Sequence, residues 1–182
     1  MSLDRFQLAV IVGSVRVGRF GPVVADWFVG QAKQRDDVSL DVIDLADLPA
    51  PADLPLVADR MDAADAFVVV TPEYNHSFPG PLKHGIDSLG RQWHAKPVGF
   101  VSYGGMSGGL RAVEPLRVVF AELHAVTIRN TVSFHSARNQ FDAQGAPRDP
   151  DAVNAAAAAL LDQLAWWARA LRTARTSEPY VA

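Results

Sequence analysis

The 182-residue chain contains no cysteine. This absence excludes disulfide bonds, thiolate metal sites and cysteine nucleophiles, and it is compatible with the reducing cytoplasm, where we expect the protein to act. An excess of charge of one sign is also lacking, because 17 basic and 20 acidic residues leave a net charge of −3 without a block of like charge. The charge balance therefore indicates neither nucleic acid nor a membrane surface as a partner.

Long apolar runs are lacking as well, since no stretch approaches the ~18 to 20 residues that a membrane span needs. The first apolar run, FQLAVI, leads into glycine and arginine without a small-residue cleavage pattern, so it predicts a first strand rather than a secretory signal. With 49% hydrophobic and 20% charged residues, the composition is typical of a globular protein. The length predicts a single domain over residues 1–182.

Short β-branched runs alternate with longer amphipathic runs along the chain, which predicts alternating strands and helices. The predicted strands cover 6–12, 39–44, 66–71, 98–102 and 126–132, and the predicted helices cover 22–34, 56–64, 81–89, 110–123 and 150–173. Because several strands are almost continuously apolar, we expect a parallel sheet with helices on both faces, an α/β three-layer sandwich. The final segment, RTARTSEPYVA, predicts a loose tail. Ligands of such folds bind beyond the carboxyl ends of the strands, so the loops there are candidate sites.

The loop after the first predicted strand, GSVRVGRFGP, combines three glycines with a serine and two arginines. Glycine lets the backbone approach a ligand, and the next helix offers N–H groups and the positive end of its dipole. Ser14, Arg16 and Arg19 suit a phosphate. The loop matches neither G-x-x-x-x-G-K-[ST] nor G-x-G-x-x-G, which favours a phosphate monoester over a nucleoside triphosphate or a dinucleotide. A plain turn with two solvated arginines is the alternative.

Two further loops follow the third and fourth predicted strands. In PEYNHSFPGP, Tyr74 and the backbone of 73–75 offer a flat wall and hydrogen bonds to a heterocycle, although core packing is an alternative for Tyr74 and is favoured for Phe78. YGGMSGG places four glycines within six positions, which indicates close approach of the Gly104 and Gly105 N–H groups to a ring carbonyl.

The remaining polar side chains near these loops have structural alternatives. For His76 a solvated loop histidine is favoured over substrate contact. For Arg111 a cap or an ion pair is favoured over a ligand contact. The five histidines show no metal-ligand spacing, so no metal is expected.

At these three loops the sequence resembles the NADPH-dependent FMN reductase family of flavodoxin-like proteins, which includes quinone, azo-dye and chromate reductases. The resemblance is carried by GSVRVGR, TPEYNHSFPGPLKHGIDSL and SYGGMSGGLRAVEPLR, in that order, and it spans roughly 6–134. It implies a flavodoxin-like five-stranded parallel sheet in the order 2-1-3-4-5. It also implies a dimer or tetramer whose flavin lies near a subunit interface.

The resemblance further implies a set of FMN-binding residues. At the phosphate these are Ser14, Arg16, Val17, Gly18, Arg19 and Phe20; along the isoalloxazine ring they are Pro72, Glu73, Tyr74 and Asn75; closing over it they are Ser102, Gly104 and Gly105. Further candidates for substrate contact are His76, Tyr103 and Arg111. Many members carry serine and asparagine at the positions of Arg19 and Gly21, so Arg19 is the candidate to supply charge there.

The implied activity is hydride transfer from NADPH or NADH through bound FMN to a small acceptor: a quinone, an azo dye, a free flavin or a metal oxyanion. Because the flavin carries the reactivity, no catalytic side chain is expected. A flavodoxin-type electron carrier is an alternative, although a net charge of −3 with arginines at the site argues against a strongly acidic docking face. A flavin-binding regulatory module without turnover is the other alternative.

Overall fold

A computed structural model describes residues 5–48 and 54–182. In this part of the chain five parallel strands form one sheet in the order β2-β1-β3-β4-β5. The strands are β1 Phe6–Val12, β2 Val38–Asp44, β3 Ala66–Pro72, β4 Pro97–Tyr103 and β5 Val126–Phe134. The α-helices are α1 Gly21–Ala32, α2 Ala58–Ala63, α3 Gly80–Asp87, α4 Leu110–Glu122, α5 Ala137–Gln140 and α6 Pro150–Ser177. The predicted fold class and strand order are confirmed.

Both faces of the sheet are buried under helices. Alternate strand residues such as Leu8 and Val10 face a core that α1 and α6 cover. Their neighbours Ala9 and Ile11 face a second core, which α2, α3 and α4 cover. Since successive side chains of a strand point to opposite faces, burial on both faces requires the nearly continuous apolar runs seen in the sequence.

Several helical turns differ from the periodicity-based prediction. The predicted helix 56–64 begins as the 3₁₀ turn Leu54–Val57, and α2 covers only Ala58–Ala63. The one-turn helix α5, Ala137–Gln140, directly follows β5 and was not predicted. A single turn is too short to show an apolar period, so the sequence pattern carries no signal for it.

The prediction of a loose tail over 172–182 is wrong for most of that segment. Helix α6 continues to Ser177, and the Tyr180 hydroxyl lies 2.9 Å from Nδ1 of His124. The last helical turns are tied to the sheet because Arg172 donates to Asp65 at 2.9 Å and Arg175 donates to the carbonyl of Ala95 at 2.5 Å. These contacts join residues far apart in the chain, which a composition-based prediction does not detect.

The two outer strands of the sheet have part of their exposed backbone bound by side chains. On β2, Arg60 donates to the carbonyl of Val42 at 2.9 Å. On β5, Arg117 donates to the carbonyl of Ile128 at 2.6 Å, and Gln163 accepts the N–H of Asn130 at 2.8 Å. These β5 contacts lie where its register with β4 shifts, between the partners of Val98 and Phe100.

No helix in residues 5–48 and 54–182 is both long and apolar enough to cross a membrane.

Candidate functional site

A cleft of about 460 Å³ opens at the carboxyl ends of β1, β3, β4 and β5. Its size lies in the range of small-molecule sites. Four chain segments form its walls, and the lining residues are Arg16, Val17, Gly18, Arg19, Phe20, Pro72, Glu73, Tyr74, Tyr103, Gly104, Gly105, Ser136, Ala137, Arg138 and Asn139. The cleft therefore lies at the sheet edge that parallel α/β folds use for ligands.

The loop between β1 and α1 forms one wall of the cleft. Ser14 is fully buried, and its hydroxyl lies 2.6 Å from the hydroxyl of Tyr74. Arg16, Val17 and Gly18 are exposed, and Gly18 has a φ of +67° with no heavy atom within 4 Å of a built Cβ. Helix α1 begins at Gly21 without a side-chain cap, so the N–H groups of its first turn face the loop. The segment suits an anion.

The charge of Arg19 is already paired. Its guanidinium donates to the carboxylate of Asp44 at 2.5 Å and to the carbonyl of Ser14 at 2.8 Å. The hydrogen bond that Arg19 donates to Asp44 raises the pKa of Arg19 above its ordinary value. Arg19 lines the cleft, but its ion pair with Asp44 neutralises the positive charge that was predicted to bind a phosphate.

Two other guanidinium groups at the cleft have no acidic partner among residues 5–48 and 54–182. The guanidinium carbon of Arg16 lies 3.5 Å from the centre of the Tyr74 ring. Arg138, at the start of α5, donates to the carbonyl of Gly18 at 3.2 Å, and its guanidinium carbon lies 5.3 Å from the centre of the Phe20 ring. Both groups therefore contribute uncompensated positive charge to the cleft.

Asn75 and His76 form the tip of a tight hairpin after β3. Tyr74 and Ser77 exchange backbone hydrogen bonds of 2.8 and 3.1 Å, and Asn75 and His76 have φ values of 50° and 70°. Two positive φ values in a two-residue turn are typical of a type I′ hairpin, in which asparagine is favoured. Both side chains are exposed and lie outside the cleft lining. Their roles at a cofactor or substrate stay predictions.

Glu73 joins the hairpin to the glycine-rich loop. Its carboxylate accepts hydrogen bonds from the Ser107 hydroxyl and from the backbone N–H of Arg111, the latter at 3.2 Å. The guanidinium of Arg111 lies 3.5 Å from the same carboxylate. Arg111 thus makes the ion pair that the sequence analysis favoured, and it does not line the cleft.

In the glycine-rich loop after β4, the N–H of Gly105 is available to a ligand and the N–H of Gly104 is not. The N–H of Gly104 donates to the carbonyl of Phe134 at 3.1 Å, whereas that of Gly105 has no partner among residues 5–48 and 54–182. A Cβ built on Gly105 meets no heavy atom within 4 Å, so this residue borders open space. Ser102 is buried below the loop and donates to the carbonyl of Gly108 at 2.9 Å. Its predicted FMN contact stays a prediction.

Tyr103 carries a buried hydroxyl that has no hydrogen-bond partner among the described residues. Burial raises the pKa of Tyr103 well above its ordinary value, and the nearby Ser14 hydroxyl lowers it only in part. A Cβ built on Gly21 would lie 2.9 Å from this hydroxyl, so the tyrosine occupies the space of a side chain at position 21.

The segment after β5 contributes four lining residues that the sequence analysis missed: Ser136, Ala137, Arg138 and Asn139. Backbone hydrogen bonds hold it against the glycine-rich loop, because the N–H groups of Ser136 and Ala137 donate to the carbonyls of Gly105 and Gly104 at 2.7 and 3.0 Å. The strand order could have identified this segment from the sequence. Strand β5 also ends at this edge of the sheet, so the polar stretch HSARN that follows it belonged among the candidate loops.

Comparison with known proteins identifies the family. The model of a family described as NADPH-dependent FMN reductase matches residues 6–139. The chain belongs to this family. Family membership confirms the predicted resemblance, the prediction of an oxidoreductase, and FMN with NAD(P)H as its cofactors.

Individual relatives agree with this assignment. The chain is 34% identical over 120 residues to an NAD(P)H-dependent FMN reductase of Schizosaccharomyces pombe, covering 57% of this chain and 60% of that protein. It is 30% identical over 186 residues to an NAD(P)H-dependent FMN reductase of Pseudomonas aeruginosa, covering 93% of this chain and 98% of that protein. It is 33% identical over 141 residues to a quinone reductase of Escherichia coli, covering 69% and 74%.

Solved structures show the same fold. The flavoenzyme FerB of Paracoccus denitrificans, an NAD(P)H:(acceptor) oxidoreductase, aligns with a TM-score of 0.71 at 23% identity over 90% of this chain and 98% of its own. A flavodoxin of Pseudomonas aeruginosa aligns with a TM-score of 0.54 at 20% identity over 91% and 99%. These alignments confirm the flavodoxin-like architecture.

Proposed function

We propose that this member of the family transfers a hydride from NADPH or NADH through FMN, bound in the described cleft, to a small acceptor. The observation that carries the proposal is the combination of an anion-binding loop and an open, glycine-bordered space in one cleft. The cleft is lined by Arg16 and Arg138, which have no acidic partner in the described residues, and by Gly105, which borders open space. A flavin mononucleotide has a charged phosphate and a flat ring that match these two features.

The residues present fit FMN at both of its ends. Near the phosphate end, the exposed backbone of Arg16 to Gly18 lies ahead of the uncapped first turn of α1, whose dipole favours a dianion. For the ring, Gly105 offers an N–H without a partner in the described residues, while one face of the Tyr74 ring is covered by the guanidinium of Arg16. An N–H at this position stabilises negative charge that develops on a bound ring.

The chain binds and aligns the reactants, and the chemistry itself comes from the cofactor. FMN, when bound, accepts a hydride equivalent and passes it on. Gly105 lacks a side chain and borders open space, so it leaves this part of the cleft free for a flat ligand. Glu73 holds the glycine-rich loop in place, because its carboxylate accepts hydrogen bonds from the Ser107 hydroxyl and from the N–H of Arg111. Alignment of this kind supplies much of the rate in hydride transfer.

The acceptor is proposed from the relatives. The names of similar proteins include a quinone reductase of Escherichia coli and an FMN-dependent NADPH-azoreductase of Staphylococcus haemolyticus, to which the chain is 30% identical over 145 residues. We propose a quinone, an azo dye, a free flavin or a metal oxyanion as the acceptor. A cytoplasmic location belongs to the same proposal, supported by the absence of cysteine.

One experiment tests this function directly. The purified protein is loaded with FMN, its visible spectrum is recorded, and NADPH and NADH oxidation are followed with a quinone, an azo dye and free FMN. The proposal expects a bound-flavin spectrum and turnover with at least one acceptor. A protein that binds FMN but oxidises neither nucleotide would instead be an electron carrier or a regulatory module, and one that binds no FMN would contradict the site as well.

We also propose a dimer or tetramer. Exposed apolar side chains along the glycine-rich loop and α4 support this, because Met106, Leu110 and Val118 are 89%, 40% and 72% exposed. Large apolar side chains close together on a surface are typical of protein–protein contacts.

A further inference from the structure

Arg138 is the cationic side chain at the cleft that the sequence resemblance does not assign. It follows β5, which ends at the same edge of the sheet as β1, and it reaches back 120 positions along the chain to the first loop. Its Nη2 donates to the carbonyl of Gly18 at 3.2 Å, so the guanidinium is anchored at the exposed tip of that loop.

The position of Arg138 is fixed by two contacts that leave most of its donors available. The guanidinium carbon lies 5.3 Å from the centre of the Phe20 ring, and the hydrogen bond to Gly18 uses one of its five N–H groups. The side chain has no acidic partner in residues 5–48 and 54–182. A guanidinium held in place with unused donors is preorganised for a bidentate contact to an oxyanion.

Arg19, which belongs to the first loop itself, is less suited to bind an oxyanion. Arg19 is bound to Asp44 and to the carbonyl of Ser14, and its side chain is only 17% exposed. A phosphate would therefore meet an already neutralised Arg19. Arg16 lies two residues before Gly18 in the same loop, and Arg138 donates to the carbonyl of Gly18. Neither has an acidic partner among the described residues, and two cations match the charge of a phosphate monoester near neutral pH.

We propose that Arg138 binds the phosphate group of FMN together with Arg16, and that it is thereby a determinant of the preference for FMN over riboflavin. This rests on the proposed function, because it assumes FMN in this cleft. The same guanidinium would add nothing to the binding of riboflavin, which has the ring and the ribityl chain but no phosphate.

The test compares Arg138→Gln with Arg148→Gln. Arg148 is an exposed arginine outside the cleft, so its substitution removes the same charge from the chain without touching the site. Binding of FMN and of riboflavin to the flavin-free protein is measured by quenching of flavin fluorescence, and inorganic phosphate serves as a competitor. Arg138→Lys is the conservative variant, since it keeps the charge but not the planar fork.

The proposal expects Arg138→Gln to weaken FMN binding by about 10- to 100-fold, the scale of a lost charged hydrogen bond, with riboflavin binding unchanged. Inorganic phosphate should compete less well with FMN in this variant, Arg138→Lys should recover part of the loss, and Arg148→Gln should bind like the unmodified protein. Equal losses for FMN and riboflavin, or no loss of FMN affinity, would overturn the proposal. If the unmodified protein binds neither flavin, the proposed function itself fails, and this inference with it.

Discussion

The guanidinium of Arg16 lies over the ring of Tyr74, 3.5 Å from its centre, and the hydroxyl of the same tyrosine lies 2.6 Å from that of buried Ser14. Ser14 thus positions the ring, and the ring positions the cation. A cation over an aromatic face gains about 0.5 to 2 kcal/mol, depending on how much water is excluded. The arginine is therefore partly ordered before any anion binds, which lowers the entropy lost on binding.

The first prediction concerns the replacement of Arg16. We expect Arg16→Ala to weaken FMN binding by about 1 to 3 kcal/mol, the range of a charged hydrogen bond, without loss of fold. Fluorescence titration gives the affinity, and far-ultraviolet circular dichroism checks the fold. An unchanged affinity for FMN would remove Arg16 from the site.

The open space at Gly105 gives the second prediction. Gly105→Val should lower NADPH oxidation and FMN binding far more than it changes the circular dichroism, because a branched side chain enters the space that a flavin ring needs. Gly30→Val is the matched control, since Gly30 is an exposed residue of α1 where a built Cβ also meets no heavy atom within 4 Å. Loss of flavin binding in both variants, or in neither, would contradict the assignment.

The unpartnered hydroxyl of Tyr103 gives the third prediction. A buried hydroxyl without a partner costs about 1 to 3 kcal/mol of desolvation, so Tyr103→Phe should unfold at the same temperature or a higher one in the flavin-free protein. Tyr180→Phe, which removes the hydroxyl bonded to His124, should be unchanged or slightly less stable. Thermal unfolding measures both, and a clear loss of stability in Tyr103→Phe would show that its hydroxyl has a structural partner.

The fourth prediction concerns pH and Lys96. This lysine is 6% exposed, and its Nζ donates to the carbonyls of Met61 and Asp62, both at 2.9 Å. Burial, aided by repulsion from Arg175, lowers the pKa of Lys96 from the ordinary value of 10.5 to about 8. Between these two values the unfolded chain binds more protons than the folded one, so stability rises with pH above about 8. The stability gained in this interval is lost again as the pH falls back to about 8.

The size of this pH effect is measurable. A shift of this extent corresponds to about 3 kcal/mol over the whole interval. Urea unfolding between pH 7.5 and 9.5 should show the rise in the unmodified protein and a flatter profile in Lys96→Met, which removes the titrating group. Parallel profiles in the two proteins would show that Lys96 does not titrate in this range.

The fifth prediction concerns assembly. Light scattering at micromolar concentration should give a dimer or a tetramer, and Val118→Glu should shift the protein toward the monomer by placing a charge on the exposed apolar part of α4. Ala158→Glu adds the same side chain at an exposed position of α6, which covers the opposite face of the sheet, and should leave the assembly unchanged. A fully active monomer would contradict the proposed oligomer.

The sequence predicted the sheet and three of the four cleft walls because their signals are local. The run that forms β1 is apolar except for Gln7, and GSVRVGRFGP stands directly between it and α1. The charge state of Arg19 was not predictable in this way, because Asp44 lies 25 positions away at the end of β2 and meets it only when the parallel sheet forms. The contact between Arg138 and Gly18, 120 positions apart, likewise leaves no trace in spacing, although the end of β5 at this edge of the sheet made its loop a candidate.

The arginine and glutamine contacts on β2 and β5 have a consequence for how copies of the chain can meet. A strand with free N–H and carbonyl groups at a sheet edge recruits strands from other molecules, and this is the usual route to fibrils. Here Arg60 donates to the carbonyl of Val42, Arg117 donates to that of Ile128, and Gln163 accepts the N–H of Asn130. Growth of a continuous intermolecular ribbon is therefore blocked at these points. Contacts between copies of the chain are consequently favoured at side chains of the helical faces and at the mouth of the cleft rather than along these strand edges.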